Sequence, residues 1–217
     1  MNLGWHLGAN LGGWRCVVGV TGRRMESISF EAHPDWVLKC KLFRDVTNAE
    51  ELGQLIVGGK VPVRTSLVNA KLVPALLPLY VAGDKTLRSL KTDKGIVTRT
   101  LGSELVYNLA ASKHIRDSLV KFGVKKKDCT EVLLAWFEPK EVDGAAASRS
   151  AMGGDEDGDI SPLIKGTPCD LADLRDKADS AEIKTHYKIQ DKELGTSTLT
   201  DCVVFRIGAK EFLEKQK

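Results

Sequence analysis

Residues 131–137, Glu-Val-Leu-Leu-Ala-Trp-Phe, form a continuous apolar run between the charges of Glu131 and Glu138. Such a run is typical of a central strand, and it makes a sheet the centre of any fold this chain adopts. A second strand is predicted at 36–43. Val37, Leu42 and Phe43 are strand formers, and Leu38, Cys40 and Leu42 alternate with Lys39 and Lys41.

Helical patterns surround these strands. Thr47-Asn48-Ala49-Glu50 reads as a capping box, Leu52, Leu55 and Ile56 repeat at helical spacing, and Gly58-Gly59 ends the element. The stretch 73–90 places Leu79, Gly83, Thr86, Leu87 and Leu90 on one face; Pro78 either starts that helix or kinks it. In 98–109, Leu101, Leu105 and Leu109 recur every fourth residue and Val106 widens the stripe. Ser112 reads as an N-cap, followed by Ile115, Leu119 and Phe122, with Gly123 as the stop. Thr167-Pro168-x-Asp170 reads as a helix opening, with Leu171 and Leu174 inward. Ile183 and Tyr187 mark a short helix after Ser180. Leu199, Cys202, Val203 and Ile207 fit a last one, with 202–205 leaving a strand as the alternative. The fold class expected is α/β: one domain, a small mixed sheet packed with several helices.

A chain of 217 residues buries an ample core without disulfides. Its five cysteines, at 16, 40, 129, 169 and 202, are odd in number and show no C-x-x-C spacing, so free, mostly buried thiols in a reducing compartment are expected. No apolar run is long enough to span a membrane. Residues 1–24 carry six glycines and no periodicity, and read as a disordered extension. The domain then runs from 25 to 217, with a flexible acidic insertion at about 144–159.

No catalytic constellation stands out. Of His6, His33, His114 and His186, none neighbours a nucleophile in a known turn, and all read as surface histidines. Asp155-x-Asp157-x-Asp159 opens like a calcium loop, but Ile160 and Gly166 stand where the turn glycine and bidentate glutamate belong. Gly58-Gly59-Lys60 ends a helix, where a phosphate loop precedes one. No catalytic residue, metal or cofactor is therefore expected. Charge is more informative. Residues 84–127 hold eleven Lys or Arg against four acids, and 138–182 hold twelve acids against five bases, although the whole chain is only +3. A concentrated basic stretch is the footprint of a phosphate backbone or simply a solvated face.

Several blocks carry a family resemblance: Leu42-Phe-Arg-Asp-Val-Thr-Asn-Ala49, Ser66-Leu-Val-Asn69, Thr98-Arg-Thr-Leu-Gly-Ser-Glu-Leu-Val-Tyr-Asn-Leu109, Lys121-Phe-Gly-Val124, Ile183-Lys-x-x-Tyr187-Lys and Leu194-Gly-Thr196. Together they resemble the PRPK-binding protein (TPRKB) family. The resemblance implies a non-catalytic subunit of the KEOPS (EKC) complex, which installs threonylcarbamoyladenosine (t6A) on tRNA. It implies three kinds of partner: a PRPK-type atypical kinase subunit, the other KEOPS subunits indirectly, and tRNA, including its single-stranded 3′ end. No membrane is implied, and the location expected is cytoplasm and nucleus. Under this reading Lys85, Arg88, Lys94 and Arg99 face RNA phosphates, as electrostatic positioning rather than sequence readout. Leu101, Leu105, Val106 and Leu109 are the candidates for the kinase contact, with core packing open as the alternative, above all for Leu101 and Leu105. A kinase-binding regulator acting outside tRNA modification is the second functional reading.

Overall fold

The fold, given by a computed structural model, is described for residues 18–19, 25–124, 128–140 and 158–212. The strands in chain order are β1 (Val18–Gly19), β2 (Glu26–Ser29), β3 (Trp36–Arg44), β4 (Thr65–Asn69), β5 (Val132–Pro139) and β6 (Thr167–Cys169). They lie in the order β1-β2-β3-β5-β4, with β6 pairing onto the end of β3 that β2 leaves free. The helices are α1 (Ala49–Val57), α2 (Leu76–Leu90), α3 (Leu101–Leu109), α4 (Ile115–Phe122), α5 (Leu174–Lys177), α6 (Ser180–Tyr187), α7 (Asp191–Leu194) and α8 (Leu199–Gly208). The expected small sheet packed with several helices in one α/β domain is observed, and all its described strand pairs are antiparallel.

The apolar run occupies the position its composition demands. β5 pairs with β3 on one side and β4 on the other. Leu133, Ala135 and Phe137 join the core under α2, α3, α6 and α8. Val132, Leu134 and Trp136 join a second, smaller core under α1 and residues 160–164. A strand covered on both faces has no polar side to show, which is why alternation is missing there.

Local signals fail where tertiary contacts outbid them. Thr47 does not cap α1; its hydroxyl donates to the Lys165 carbonyl, 3.2 Å away. Asn48 is the N-cap residue, but its side chain clips the 163–165 segment, donating to Leu163 O and accepting from Lys165 N–H. Thr167-Pro168 opens no helix and lies in β6 against Phe43 and Arg44, a short strand flanking the sheet, where a missing N–H is tolerated. Asp170 then caps the 3₁₀ turn Leu171–Asp173 that leads into α5. His114, not Ser112, is the N-cap residue of α4. Pro78 sits in the first turn of α2, where its missing N–H costs nothing. Gly123 is not left-handed at φ −78°; a Cβ there would meet Leu119 O at 2.4 Å. A capping box between Thr198 and Asp201 makes 199–208 a helix rather than a strand. Residues 1–17, 20–24 and 141–157 lie outside the described residues, and so does most of both segments expected to be disordered. At their edges, Val18 pairs with Ile28, and Lys41 forms an ion pair with Asp159.

Cys40, Cys129, Cys169 and Cys202 are free and buried, as their spacing suggested. Burial raises their thiol pKa values, that of Cys129 to about 11, which leaves them protonated.

The last turn of α3 is finished by side chains from the C-terminal third of the chain. Lys210 Nζ donates to Tyr107 O at 2.8 Å, Tyr187 Oη to Leu109 O at 2.7 Å, and His186 Nε2 pairs with Ala110 O at 2.8 Å. The carbonyl can only accept, so the His186 proton sits on Nε2. Burial pushes the His186 pKa down, and the same cause lowers that of His33. His33 is thus not the surface residue its neighbourhood suggested; it is 4% exposed. A histidine depressed in the folded state leaves stability intact above about pH 6.5 and removes it as the pH falls below that value, where the unfolded chain takes up the proton first. Glu26 and Glu131, raised by burial, act in the opposite sense, losing stability as the pH rises through their folded values. A His186→Gln variant isolates the histidine contribution. Its melting temperature should fall less than that of the wild type between about pH 7.5 and 5.5. Equal falls would show that His186 contributes nothing to the acid sensitivity.

Candidate partner-docking face and basic loop

α8 and the residues just past it carry the largest aromatic exposures among the described residues. The helix's inward stripe is Cys202, Val203 and Ile207, all in the core. Phe205 lies off that stripe, 59% exposed, and Phe212, just past the helix, is 75% exposed. Gly208 lies between them in sequence, and a Cβ added there meets nothing within 4 Å. Ion pairs frame the rings. Arg206 holds both oxygens of Glu193 at 2.8 Å, and its guanidinium lies 5.8 Å from the Phe205 ring. Lys85 reaches Ile207 O at 3.0 Å and Glu211, the neighbour of Phe212, at 3.6 Å. Exposed aromatics inside a fixed polar rim are what a protein-binding hot spot requires.

The four residues assigned to the kinase contact are elsewhere. Leu101, Leu105, Val106 and Leu109 are 1%, 0%, 5% and 0% exposed and belong to the main core. α3 is packed by α2, β4 and α4, so Val106, beside the inward stripe, is buried as well. It borders an apolar groove of about 130 Å³ between the α1–β4 connection, α3 and α4. The stripe packs in the core, the alternative left open for it, and a glutamate at Val106 tests folding before it tests binding.

The basic residues divide into two kinds. Lys85 is committed to the end of α8. Arg88 is 63% exposed but pairs with Asp84 at 2.9 Å. Lys94 and Arg99 are exposed and have no ion pair among the described residues. The local sequence explains the display of Arg99. Glu104, 1% exposed, accepts the Thr98 N–H at 2.8 Å. Thr100 and Ser103 form a reciprocal capping box at the start of α3. Gly102 allows that start to sit on β4, where a Cβ would lie 2.0 Å from Thr65 O. The two threonines are tied down and the arginine between them points to solvent. The arrangement holds cations on a fixed loop and offers a phosphate a rigid partner.

The sequence hides the exposure of Phe205 because 202–205 reads as an apolar run. The usable signal is Phe205 itself, which falls outside the period of Leu199, Cys202, Val203 and Ile207.

Comparison with known proteins matches residues 43–211 to the family described as kinase binding protein CGI-121. The chain belongs to this family. An EKC/KEOPS complex subunit TPRKB of Danio rerio is 31% identical over 170 residues, 78% of this chain and 89% of the relative. An EKC/KEOPS complex subunit cgi121 of Aspergillus fumigatus is 27% identical over 150 residues, 68% and 74% of the two chains. One of Neurospora crassa is 22% identical over 172 residues, 76% and 83%. The family match begins at Phe43 in β3 and ends at Glu211, so it takes in both α8 and the loop that carries Arg99. No described helix is long and apolar enough to cross a membrane.

Proposed function

We propose that this chain is a non-catalytic subunit of an EKC/KEOPS complex, and that it docks a PRPK-type kinase subunit on the α8 face while Lys94 and Arg99 hold tRNA. The observation that carries the kinase half is the exposure of Phe205 and Phe212, next in sequence to the ion-paired Arg206 and Glu211. Solvated phenylalanines gain free energy only when something covers them, and the family's description as kinase binding proteins supports reading that cover as a kinase. The tRNA half rests on the exposed cations of the loop that ends at Thr100. Their task is electrostatic positioning on the phosphate backbone.

Co-purification with the kinase subunit, followed by a binding titration, tests the first half. For the second, the double change Lys94→Glu and Arg99→Glu should weaken tRNA binding whatever its sequence. It should also flatten the dependence of log K on log salt by roughly 0.7 to 0.9 for each phosphate that is no longer neutralised. A variant that binds tRNA as tightly as wild type, with the same salt slope, removes these two residues from the RNA interface. Lys85→Glu is the control. Lys85 serves the fold, so its change should lower the melting temperature, because a glutamate there cannot hold Ile207 O or pair with Glu211. If the kinase binds and tRNA does not, the alternative of a kinase-binding regulator outside tRNA modification takes over.

A further inference from the structure

Behind Arg88 lies a buried pair with unfilled hydrogen-bonding capacity. Asp84, on α2, is 9% exposed; one oxygen takes the Arg88 guanidinium and the other has no hydrogen-bond partner among the described residues. His33 Nε2 stands 3.5 Å from that second oxygen, beyond hydrogen-bond reach, and both ring nitrogens lack partners among the described residues. The ring is fixed edge-on against Phe30, which stacks on Tyr80 of α2. The charged groups around it are Asp84 and Arg88 from α2, Lys91 just past its end and Asp35 from its own loop, the last two paired at 3.5 Å. Lys140, following β5, anchors the same loop by donating its N–H to Asp35 O.

We infer that His33 and Asp84 form a proton-uptake site coupled to Arg88, so that capture of a phosphate by Arg88 is accompanied by protonation of His33. The inference rests on the tRNA reading above, extends it from Lys94 and Arg99 to the exposed guanidinium of Arg88, and adds its regulation by pH. With Arg88 facing Asp84, the guanidinium offsets part of the carboxylate charge, and the histidine cation is disfavoured first by burial and then by Lys91, favoured by Asp84 and Asp35, and opposed by Arg88. A phosphate on Arg88 changes this balance whether the guanidinium turns away or bridges the two anions. Either way the buried pocket becomes more negative, and an imidazolium 3.5 Å from Asp84 is the group placed to compensate. The proton comes from solvent and settles on the ring. No bond other than N–H forms. By linkage, a ligand that raises a proton affinity binds tighter as the pH falls, by at most about tenfold per pH unit for one proton.

Two measurements test this in the full chain. Calorimetric titration with tRNA at neutral pH, in two buffers of different ionisation enthalpy, should show net uptake of up to about one proton by the wild type. Asp84→Asn and His33→Gln should bind tRNA without uptake. Second, the His33 ring resonances are followed with pH in the chain without RNA. The titration midpoint should move upward in Arg88→Gln, which removes the opposing cation without adding any ligand. tRNA binding without proton uptake by the wild type overturns the linkage, as does an unmoved midpoint in Arg88→Gln. Absence of tRNA binding at every pH overturns the tRNA reading and takes the linkage with it. In that event the Arg88→Gln titration still shows separately whether the three side chains are coupled.

Discussion

Changing Phe205 and Phe212 together to alanine should lower affinity for the kinase subunit by about a hundredfold or more and leave the melting temperature nearly unchanged. A buried aromatic anchor is worth about 2 kcal/mol or more when truncated at an interface, and every 1.4 kcal/mol is tenfold in affinity. Both rings are more than half exposed in the isolated chain, so truncation opens no cavity. Their removal even lessens the apolar surface in contact with water. Gly208→Leu gives an independent check, since its side chain would enter open space and obstruct the partner without disturbing the fold. Affinity is read by titration with the purified kinase subunit and folding by thermal melting. Unaltered affinity in the double variant would move the interface to another face. A loss of folding would mean that the rings are covered within the chain itself.

Leu105→Ala should behave in the opposite way, losing about 2 to 5 kcal/mol of stability while binding the kinase normally below its melting point. Leu105 is fully buried under α2 and the sheet, and its neighbours Leu101, Val106 and Leu109 share that core. In a chain of this size 1 kcal/mol moves the melting temperature by roughly 2 to 4 °C, so a fall of about 10 °C is expected. The surrounding helix is held at both ends: the Thr100–Ser103 capping box fixes its start, and Lys210, Tyr187 and His186 fix its last carbonyls. The site therefore has little freedom to collapse around the missing atoms, and the cost belongs in the upper part of the range. A change below 1 kcal/mol would show that the α3 stripe is not the core. Weak kinase binding by a folded Leu105→Ala chain would return the interface to α3.

Much of the architecture is legible in residue order because period and capping act over a few residues. The run 131–137 announces a strand buried on both faces, and the alternation at 36–43 announces the strand beside it. Thr98-Arg-Thr-Leu-Gly-Ser-Glu encodes a locked helix start and a displayed arginine within seven positions. The family is readable from the same blocks, and the match over residues 43–211 agrees. Long-range partners are a different matter. Asn48 prefers Leu163 and Lys165 to its own helix, and Pro168 joins β3 instead of opening a helix. Those preferences depend on residues more than a hundred positions away.

The division is sharpest at the sites. An apolar stripe at helical spacing tells which side of a helix seeks cover, and the sequence alone specifies that for α3 and α8. It does not tell what provides the cover. On α3 the cover is the chain's own α2, β4 and α4, so Leu101, Leu105, Val106 and Leu109 became core. On α8 the inward stripe is satisfied internally, while Phe205 off that stripe and Phe212 just past the helix stay exposed. Likewise every lysine and arginine carries its charge in the sequence, but only packing determines which ones remain uncommitted. Lys85 is taken up by Ile207 O and Arg88 is shared with Asp84, while Lys94 and Arg99 stay open to solvent. Residue type and period are local properties of the chain; burial and charge pairing are fixed by which elements meet, and that is decided only when the tertiary structure forms.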